Sequence, residues 1–296
     1  MRIFVTGAPG FIGSALVPEL IQAGHHVLGL TRSEAGAETL RKLGAEVLHG
    51  NIEDLDSLRE GAARTDGIVH LAFNHDFSQF QKNCDDDRKA IEAMGEVLLR
   101  SNRPFVITSG TAMAANVDGK PSTEESPSAA WNPRAASEAA MKELTARGVN
   151  ISVVRLAQIH DTRKQGLVQH VHAVAREKRV SAYIGDGGNR WPAAHVSDVA
   201  RLYRLVFEKA ERGAIYHAVD EEGISMKAIA EALGRGLKVP VISIKPEEAE
   251  AQFGWLARFA GHDMPSSGAL TQQKLNWKPT GPGLIADLDG MDYTRA

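Results

Sequence analysis

The chain has a single cysteine, Cys84, among 296 residues. One thiol excludes an internal disulfide framework and a metal centre built from several thiolates. Long apolar runs are also missing, because no stretch reaches the about 20 residues that a transmembrane helix needs. The opening "MRIFVTG" shows no charged leader followed by an apolar segment. We therefore expect a soluble, cytoplasmic protein with no membrane partner.

Neither basic nor acidic residues are in large excess. The 34 basic and 37 acidic residues are interspersed and give a net charge of -3, with no basic tail. Nucleic acids attract basic surfaces, so we predict no nucleic-acid partner. His170 and His172 stand two apart on a predicted helix and point in different directions, and we predict no metal site. A small-molecule substrate is the expected partner, and a homodimer stays open.

Short apolar runs alternate with longer helix-like stretches through the first 150 residues. The runs are "RIFVTG", "HHVLGLT", "AEVLHG", "DGIVHLAF", "PFVITSG" and "ISVVRLA". Strands that are buried on both faces lose the alternation of polar and apolar residues, as these do. The pattern predicts an α/β protein with a Rossmann-type, doubly wound parallel sheet.

The C-terminal part has a different character. It contains three predicted helices, "GISMKAIAEALGRGL", "KPEEAEAQFGWLARFAG" and "SSGALTQQKLNW". We predict a small, mostly helical substrate lobe made from about 161–190 plus 223–296. The dinucleotide-binding Rossmann domain then comprises 1–160 plus about 191–222.

A glycine-rich turn, "VTGAPGFIG", follows the first predicted strand and precedes a helix. Gly7 permits a tight turn, Gly10 lets a pyrophosphate approach the backbone, and Gly13 allows close packing of helix on sheet. The helix starts at Phe11 and Ile12, where free amides and partial positive charge favour phosphate. The turn predicts a dinucleotide site.

The end of the second strand, "LGLTRSEAG", should reach the adenosine ribose. Arg32 and Ser33 suit a 2′-phosphate, whereas a carboxylate would favour a free 2′-hydroxyl. We predict NADP as the cofactor rather than NAD. The alternative is that Arg32 is a solvated loop residue and Glu34 binds the ribose.

Several further segments carry a family resemblance: "TGAPGFIG", "HGNIEDLDSL", "IVHLAF", "ITSGT", "VVRLAQIH" and "HVSDVARL". With them the chain resembles the extended and atypical branches of the short-chain dehydrogenase/reductase superfamily, of the epimerase/dehydratase type. The resemblance implies that the remaining residues at the cofactor are Asn51 and Ile52 beside the adenine, with Leu71, Ala72 and Gln158 along its length.

The resemblance also implies a catalytic Tyr-x-x-x-Lys pair on the helix after the fifth strand, yet none of the four tyrosines has a lysine four residues later. Aligning "RAASE" with the family pattern puts Arg134 on the Tyr position and Glu138 on the Lys position. Arg134 is always charged and is a poor proton donor, so we predict that it binds substrate or cofactor. Glu138 is predicted near the nicotinamide ribose. The alternative is a surface ion pair between the two residues.

The proton must then come from another group, such as a water held by Ser109, Thr111, His75 or His160. Asp87 stands where many relatives have an active-site Asn, although a solvated acidic helix start explains it equally well. The segment "GDGGNRWPAAHVSD" places polar and aromatic residues at the predicted substrate position. The residues assigned to substrate are His75, His160, Asn189, Arg190 and Trp191, with a core role as the alternative for Trp191.

These predictions indicate an NADP(H)-dependent oxidoreductase that acts on a carbonyl or alcohol group of a small organic molecule. Hydride transfer would use an atypical proton donor. The alternative is a non-catalytic NADP-binding sensor or regulatory protein. A sugar-nucleotide epimerase or dehydratase is the third hypothesis, since its usual chemistry needs the missing Tyr.

Overall fold

A parallel sheet of seven strands forms the centre of the protein. The computed structural model describes residues 1–114, 119–129 and 132–294. The strands of this sheet and of two smaller sheets are, in chain order, β1 (Arg2–Thr6), β2 (His26–Thr31), β3 (Glu46–His49), β4 (Gly67–His70), β5 (Phe105–Gly110), β6 (Ile151–Leu156), β7 (Gln158–His160), β8 (Ser181–Ile184), β9 (Arg190–His195), β10 (Ile215–Ala218), β11 (Glu221–Ser225) and β12 (Val241–Ile244). The large sheet has the order β3-β2-β1-β4-β5-β6-β10. The order reverses between β1 and β4, where open α/β sheets bind ligands.

Helices cover both faces of this sheet, and further helices build a lobe beside it. They are α1 (Phe11–Gln22), α2 (Glu34–Lys42), α3 (Leu55–Ala63), α4 (Phe80–Val97), α5 (Ala135–Ala146), α6 (Val168–Lys178), α7 (Val196–Lys209), α8 (Met226–Leu237), α9 (Ala249–Phe253), α10 (Ala257–Ala260), α11 (Ala269–Leu275) and α12 (Leu284–Asp289). Helices α1 and α7 pack together over one face, while α3, α4 and α5 pack over the other. The predicted Rossmann-type fold is therefore confirmed.

The central strands of the sheet are mostly apolar because they contribute to two cores. In β1, Ile3 and Val5 belong to the core beneath α1 and α7, whereas Phe4 belongs to the core beneath α3 and α4. All three side chains are fully buried. Burial on both faces removes any position for a solvent-facing polar residue, which is why the sequence shows no alternation.

A smaller lobe stands beside the sheet and has its own core, which contains Trp191, Ile229, Leu233 and Leu288. Two small sheets support it: β11-β9-β7 and β12-β8. Strands β7 and β9 come from ranges that the sequence assigned to the Rossmann domain, and they pair with each other and with β11. The predicted domain boundaries therefore stay a prediction. Among the described residues, no helix is long and apolar enough to cross a membrane.

Candidate functional site

The glycine turn after β1 leaves no space for larger residues. Gly7 has a φ of +66°, and a Cβ there would lie 2.8 Å from the backbone nitrogen of Ala72. A Cβ on Gly13 would lie 2.3 Å from the Gly7 carbonyl oxygen. Both distances are far below van der Waals contact, so the close approach of β1, β4 and α1 requires glycine at these two positions.

The first turn of α1 presents free backbone amides. Gly10 is the cap residue and provides no side chain, and its carbonyl accepts the first helical hydrogen bond from Ser14. The amides of Phe11, Ile12 and Gly13 have no hydrogen-bond partner within the described ranges. Three unpaired donors at a helix N-terminus fit a phosphate group.

Thr6 fixes the backbone that runs beside this turn. Its Oγ1 accepts hydrogen bonds from the amides of Leu71 and Ala72, each at 3.2 Å. The Leu71–Ala72 segment is thereby held against Gly7 at the carboxyl end of β4. Its two half-buried residues form one wall beside the glycine turn, and their contact with a cofactor stays a prediction.

The end of β2 places a free cation at the surface. Arg32 is exposed and has no hydrogen bond or ion pair in the part of the chain that the structure describes. Ser33 accepts a hydrogen bond from the Gly36 amide at 3.2 Å and caps α2. Glu34, the alternative ribose ligand, instead binds Arg41 at 2.6 Å, and this hydrogen bond lowers the pKa of Glu34.

The other predicted cofactor residues have contacts within the protein. Asn51 Oδ1 accepts hydrogen bonds from the amides of Glu53 at 2.7 Å and Asp54 at 3.1 Å, which shapes the turn before α3. Ile52 packs on the core. Gln158 Oε1 accepts a hydrogen bond from the Leu167 amide at 2.9 Å.

The loop after β7 approaches the glycine turn from the lobe side. Asp161 accepts hydrogen bonds from the amides of Arg163 and Lys164 and so forms a tight turn. The Lys164 ammonium lies 5.9 Å from the centre of the Phe11 ring, at the start of α1. A cation is therefore held close to the unpaired amides.

Arg134 lies in a buried polar network rather than at the surface. Its Nη1 donates to Asp87 Oδ2 at 2.5 Å and to Ser137 Oγ at 2.8 Å, and its Nη2 donates to the Thr108 carbonyl at 2.9 Å. Ser137 donates to the same Asp87 oxygen at 2.6 Å. The side chains of Arg134 and Asp87 are 10% and 0% exposed, so the predicted alternative of a surface ion pair is wrong for Arg134.

Asp87 also joins this network to the cofactor wall. Its Oδ1 lies 3.2 Å from His70 Nε2, and His70 Nδ1 lies 2.7 Å from Thr6 Oγ1. Burial alone would raise the pKa of Asp87, but the charge of Arg134 and the hydrogen bond with His70 outweigh it and hold the pKa below its ordinary value. The carboxylate is therefore ionised at neutral pH. Its complete burial and its place inside α4 argue against a solvated helix start.

Glu138 has a different buried partner. Arg155 donates to both of its carboxylate oxygens at 2.8 Å, and Ser128 donates to Oε2. Burial alone would raise the pKa of Glu138, yet the hydrogen bonds and charge of Arg155 lower it below its ordinary value. Ser109 contributes to the same lowering, although its buried Oγ makes no hydrogen bond of regular geometry within the described ranges.

Thr111 and the predicted substrate residues are mostly held by neighbouring groups. Thr111 Oγ1 donates to the Leu156 carbonyl at 3.3 Å. His160 is fully buried and its Nδ1 lies 2.6 Å from Asp287 Oδ2. Burial lowers the pKa of His160 although Asp287 opposes this shift. These contacts support the lobe and leave the substrate assignments as predictions.

The segment that begins β9 ties the lobe together. Asn189 donates to the Ala260 carbonyl at 2.9 Å, and Arg190 forms an ion pair with Asp263 at 2.8 Å. Trp191 is fully buried in the lobe core and donates its indole N–H to the Phe259 carbonyl at 3.3 Å. The geometry of Trp191 favours the core role that was its alternative, since a fully buried ring has no surface for a substrate.

This arrangement of turn, helix and strand ends is matched in known proteins. Residues 3–220 match the NAD dependent epimerase/dehydratase family. The chain belongs to this family. Among its family relatives are an uncharacterized protein of Schizosaccharomyces pombe, 48% identical over 99% of this chain and 100% of the relative, and one of Saccharomyces cerevisiae, 40% identical over 97% and 98%.

More distant members of the epimerase/dehydratase family have assigned activities. A UDP-glucose 4-epimerase of Streptomyces lividans is 25% identical over 99% of this chain and 95% of its own length. The structure of dTDP-glucose 4,6-dehydratase from Streptomyces venezuelae, with NAD and TYD bound, has a TM-score of 0.78 at 20% identity over 98% and 95% of the two chains. At this identity the structural match supports the fold.

The sequence of this epimerase/dehydratase-family member did not predict the partners of Arg134 and Glu138. His70 links Asp87 to Thr6, and Arg155 neutralises Glu138. Arg155 does carry a signal, because an arginine inside a strand that is buried on both faces requires a buried carboxylate. The sequence does not say which of the 37 acidic residues supplies it.

Proposed function

We propose that this protein is an NADP(H)-dependent oxidoreductase that reduces or oxidises a carbonyl or alcohol group of a small organic molecule. The observation that carries the proposal is the pairing of two unfilled recognition elements at the reversal of the sheet. Within the described residues, the first is the set of backbone amides without a partner at the start of α1, and the second is the Arg32 guanidinium, which has no partner there either. The first suits a diphosphate and the second suits a 2′-phosphate.

When bound, the nicotinamide cofactor supplies or accepts the hydride. The chain's own residues would hold it at the carboxyl ends of β1, β2 and β4. Phe11 and Ile12 would donate their backbone amides to phosphate, and the Lys164 ammonium, near the Phe11 ring, would add positive charge. The Leu71–Ala72 backbone forms the wall that keeps the cofactor in place.

Arg134 is unsuited to proton transfer because its guanidinium stays charged and is already bound to Asp87, Ser137 and the Thr108 carbonyl. Ser109 is better placed for this task, since it lies at the carboxyl end of β5 and its Oγ lacks a regular hydrogen bond among the described residues. Because the Ser109 Oγ is buried, we assign proton exchange to a water at this end of β5 rather than to direct contact between Ser109 and the substrate oxygen.

One relative supports the proposed redox chemistry, and another represents the alternative. A distant relative from Stigmatella aurantiaca is named a quinoline-1-oxide ketoreductase, with 26% identity over 85% of this chain and 78% of its own length. The epimerase from Streptomyces lividans represents the sugar-nucleotide alternative. Our third hypothesis follows that relative, but it requires a proton-transferring group in place of the tyrosine that the family resemblance implies.

The test is oxidation of NADPH with a panel of aldehydes, ketones and quinones, with UDP-glucose and dTDP-glucose as the sugar-nucleotide arm. Gly10→Leu is the cofactor control, because even a Cβ at Gly10 would lie 2.9 Å from the Gly7 carbonyl oxygen. We expect turnover with a carbonyl compound in the native chain and none in Gly10→Leu. A native chain that converts only the sugar nucleotides would overturn the proposal.

A non-catalytic sensor is the second candidate function. The saturation of both Arg134 and Glu138 by buried partners favours it, because neither group is free for chemistry. A sensor would bind NADP but leave the whole panel unchanged. It would also bind a partner protein more or less tightly when NADP is present, which co-purification with and without the nucleotide measures.

A further inference from the structure

A group of aromatic rings, here called the aromatic wall, joins the Rossmann part to the lobe. It consists of Phe73, His75, Phe77, His170 and Trp255. Phe77 and Trp255 are stacked, with ring centres 4.6 Å apart and planes at 15°. His170 meets both rings edge-on, at 6.1 Å from Phe77 and 5.2 Å from Trp255. The contacts of Phe77 with His170 and Trp255 therefore join the Rossmann part to the lobe.

One end of the wall adjoins the predicted cofactor position. Phe73 directly follows Ala72, whose backbone lies against Gly7. The Arg134 guanidinium stands 4.1 Å from the centre of the Phe73 ring, at this end of the wall. A substrate that enters between the Rossmann part and the lobe would thus reach the nicotinamide end of the cofactor along these rings.

The other end of the wall exposes an unusually large apolar surface. Trp255 is 49% exposed, although one face of its indole is covered by Phe77. Burial, then the charges of Arg134 and His170, lower the pKa of His75. Burial lowers the pKa of His170 as well. Protonation of both imidazoles is therefore disfavoured, and none of the five side chains of the wall is a carboxylate, a lysine or an arginine.

We propose that the aromatic wall is the substrate-recognition surface and that Trp255 stacks on a planar, uncharged aromatic carbonyl compound of the aryl ketone or quinone class. This inference rests on the proposed function and names its substrate. A sugar nucleotide is a poor fit, because a diphosphate needs cationic or amide donors and the five side chains of the wall supply no charge. An aliphatic ketone is a weaker fit, since it has no π face to stack on the indole.

The experiment measures binding in the absence of turnover. The native chain saturated with NADP⁺ is titrated with 2-acetylnaphthalene, and cyclohexyl methyl ketone is the comparison ligand that has the same carbonyl but no aromatic ring. Trp255→Ala removes the stacking face, whereas Trp255→Phe keeps one. Leu270→Ala is the matched control, because Leu270 is an exposed apolar residue on α11, 40% exposed and outside the wall.

We expect 2-acetylnaphthalene to bind the native chain more tightly than the comparison ketone. Trp255→Ala should weaken this binding roughly five- to tenfold, as loss of one aromatic pair implies. Trp255→Phe and Leu270→Ala should bind within about twofold of the native chain, and NADP⁺ affinity should be the same in all four proteins. Phe77→Ala, checked for folding by thermal melting, provides a second variant and should also weaken aromatic binding.

Unchanged affinity for 2-acetylnaphthalene in both Trp255→Ala and Phe77→Ala would overturn the inference. Tighter binding of dTDP-glucose or UDP-glucose, insensitive to Trp255, would overturn it as well. The proposed function fails in a different way, through the lack of NADPH oxidation with every carbonyl compound. Because the titration uses the oxidised cofactor and needs no turnover, the two failures are distinguishable.

Discussion

The Arg134 guanidinium and the Asp87 carboxylate form an ion pair at 2.5 Å in the interior, 47 residues apart in the chain. Glu138, one turn further along α5, pairs with Arg155 and not with Arg134. Each helix residue therefore has its own buried counter-ion. From the sequence we expected Arg134 to bind substrate or cofactor, and the buried pair adds a contribution to stability that the sequence did not predict.

Replacement of Arg134 by Ala should destabilise the fold strongly. It leaves the Asp87 carboxylate buried without a counter-ion, for which we expect a loss of about 3 to 5 kcal/mol in the free energy of unfolding. Arg147→Ala is the matched control on the same helix, since Arg147 is exposed and only loosely paired with Glu143 at 3.7 Å. Its loss should be under about 1 kcal/mol. Urea denaturation of both variants measures the difference.

The double variant Asp87→Asn with Arg134→Gln tests the explanation. It removes both charges together, so it should be more stable than Arg134→Ala alone. If the single and double variants lose equal stability, the uncompensated carboxylate is not the cause.

Arg32→Ala should change the choice of cofactor. Because Arg32 is exposed and unpaired within the described ranges, its charge is available for a 2′-phosphate, and a charge-assisted hydrogen bond contributes ~1.5 to 3 kcal/mol. We expect NADP affinity to fall roughly tenfold or more while NAD affinity stays the same. Calorimetric titrations with both nucleotides measure this, and Arg59→Ala is the control, because Arg59 is a partly exposed arginine on α3 that pairs with Asp56. Equal affinity of the native chain for the two nucleotides would rule out the assignment.

Two glycines allow the effect of the turn to be separated from the effect of backbone strain. Gly7 and Gly24 both have a positive φ, +66° and +85°, but a Cβ on Gly24 would meet nothing within 4 Å. Gly24→Ala should cost about 1 to 2 kcal/mol from the left-handed backbone alone and leave cofactor binding intact. Gly7→Ala should cost more, because its Cβ meets the Ala72 backbone, and should abolish NADP binding. Normal binding in Gly7→Ala would contradict the proposed cofactor site.

The stability of the fold should fall as the solution becomes acidic, with His217 as one cause. Burial lowers the pKa of His217 from its ordinary value of 6.5, and the charge of Arg155 adds to this although Glu124 opposes it. The unfolded chain therefore binds more protons than the folded one below about pH 6.5. The stabilisation by neutral His217 is complete above that pH and is lost progressively as the pH falls.

His217→Gln should reduce this dependence. We expect the difference in unfolding free energy between pH 7 and pH 5 to shrink by about 1 kcal/mol or more in the variant. Urea denaturation at both pH values provides the measurement, and an unchanged pH dependence would show that another group is responsible. His26→Gln, a substitution at an exposed position of β2, is the control.

The fold could be predicted because its signals are local. Six of the seven strands of the large sheet coincide with the apolar runs named from the sequence, and the glycine turn lies between β1 and α1 as expected. The contacts of α5 could not be predicted, because spacing along a helix identifies neighbours on that helix but not partners on other elements. Arg134 and Glu138 looked like partners at four residues apart, yet tertiary packing gave them Asp87 and Arg155. The burial of Trp191 follows from the same packing of distant segments.

The lobe is assembled from segments that lie far apart in the sequence. His160 in β7 and Asp287 in α12 lie 2.6 Å apart but are separated by 127 residues. During synthesis the first 160 residues emerge long before Asp287, so this buried histidine waits for its carboxylate until α12 has been made. A polypeptide that stops before α12 would lack both the carboxylate and the apolar residues Leu284 and Leu288 of the lobe core. Synthesis of α12 therefore completes the lobe, and chains that stop before it should be favoured substrates for cellular proteolysis.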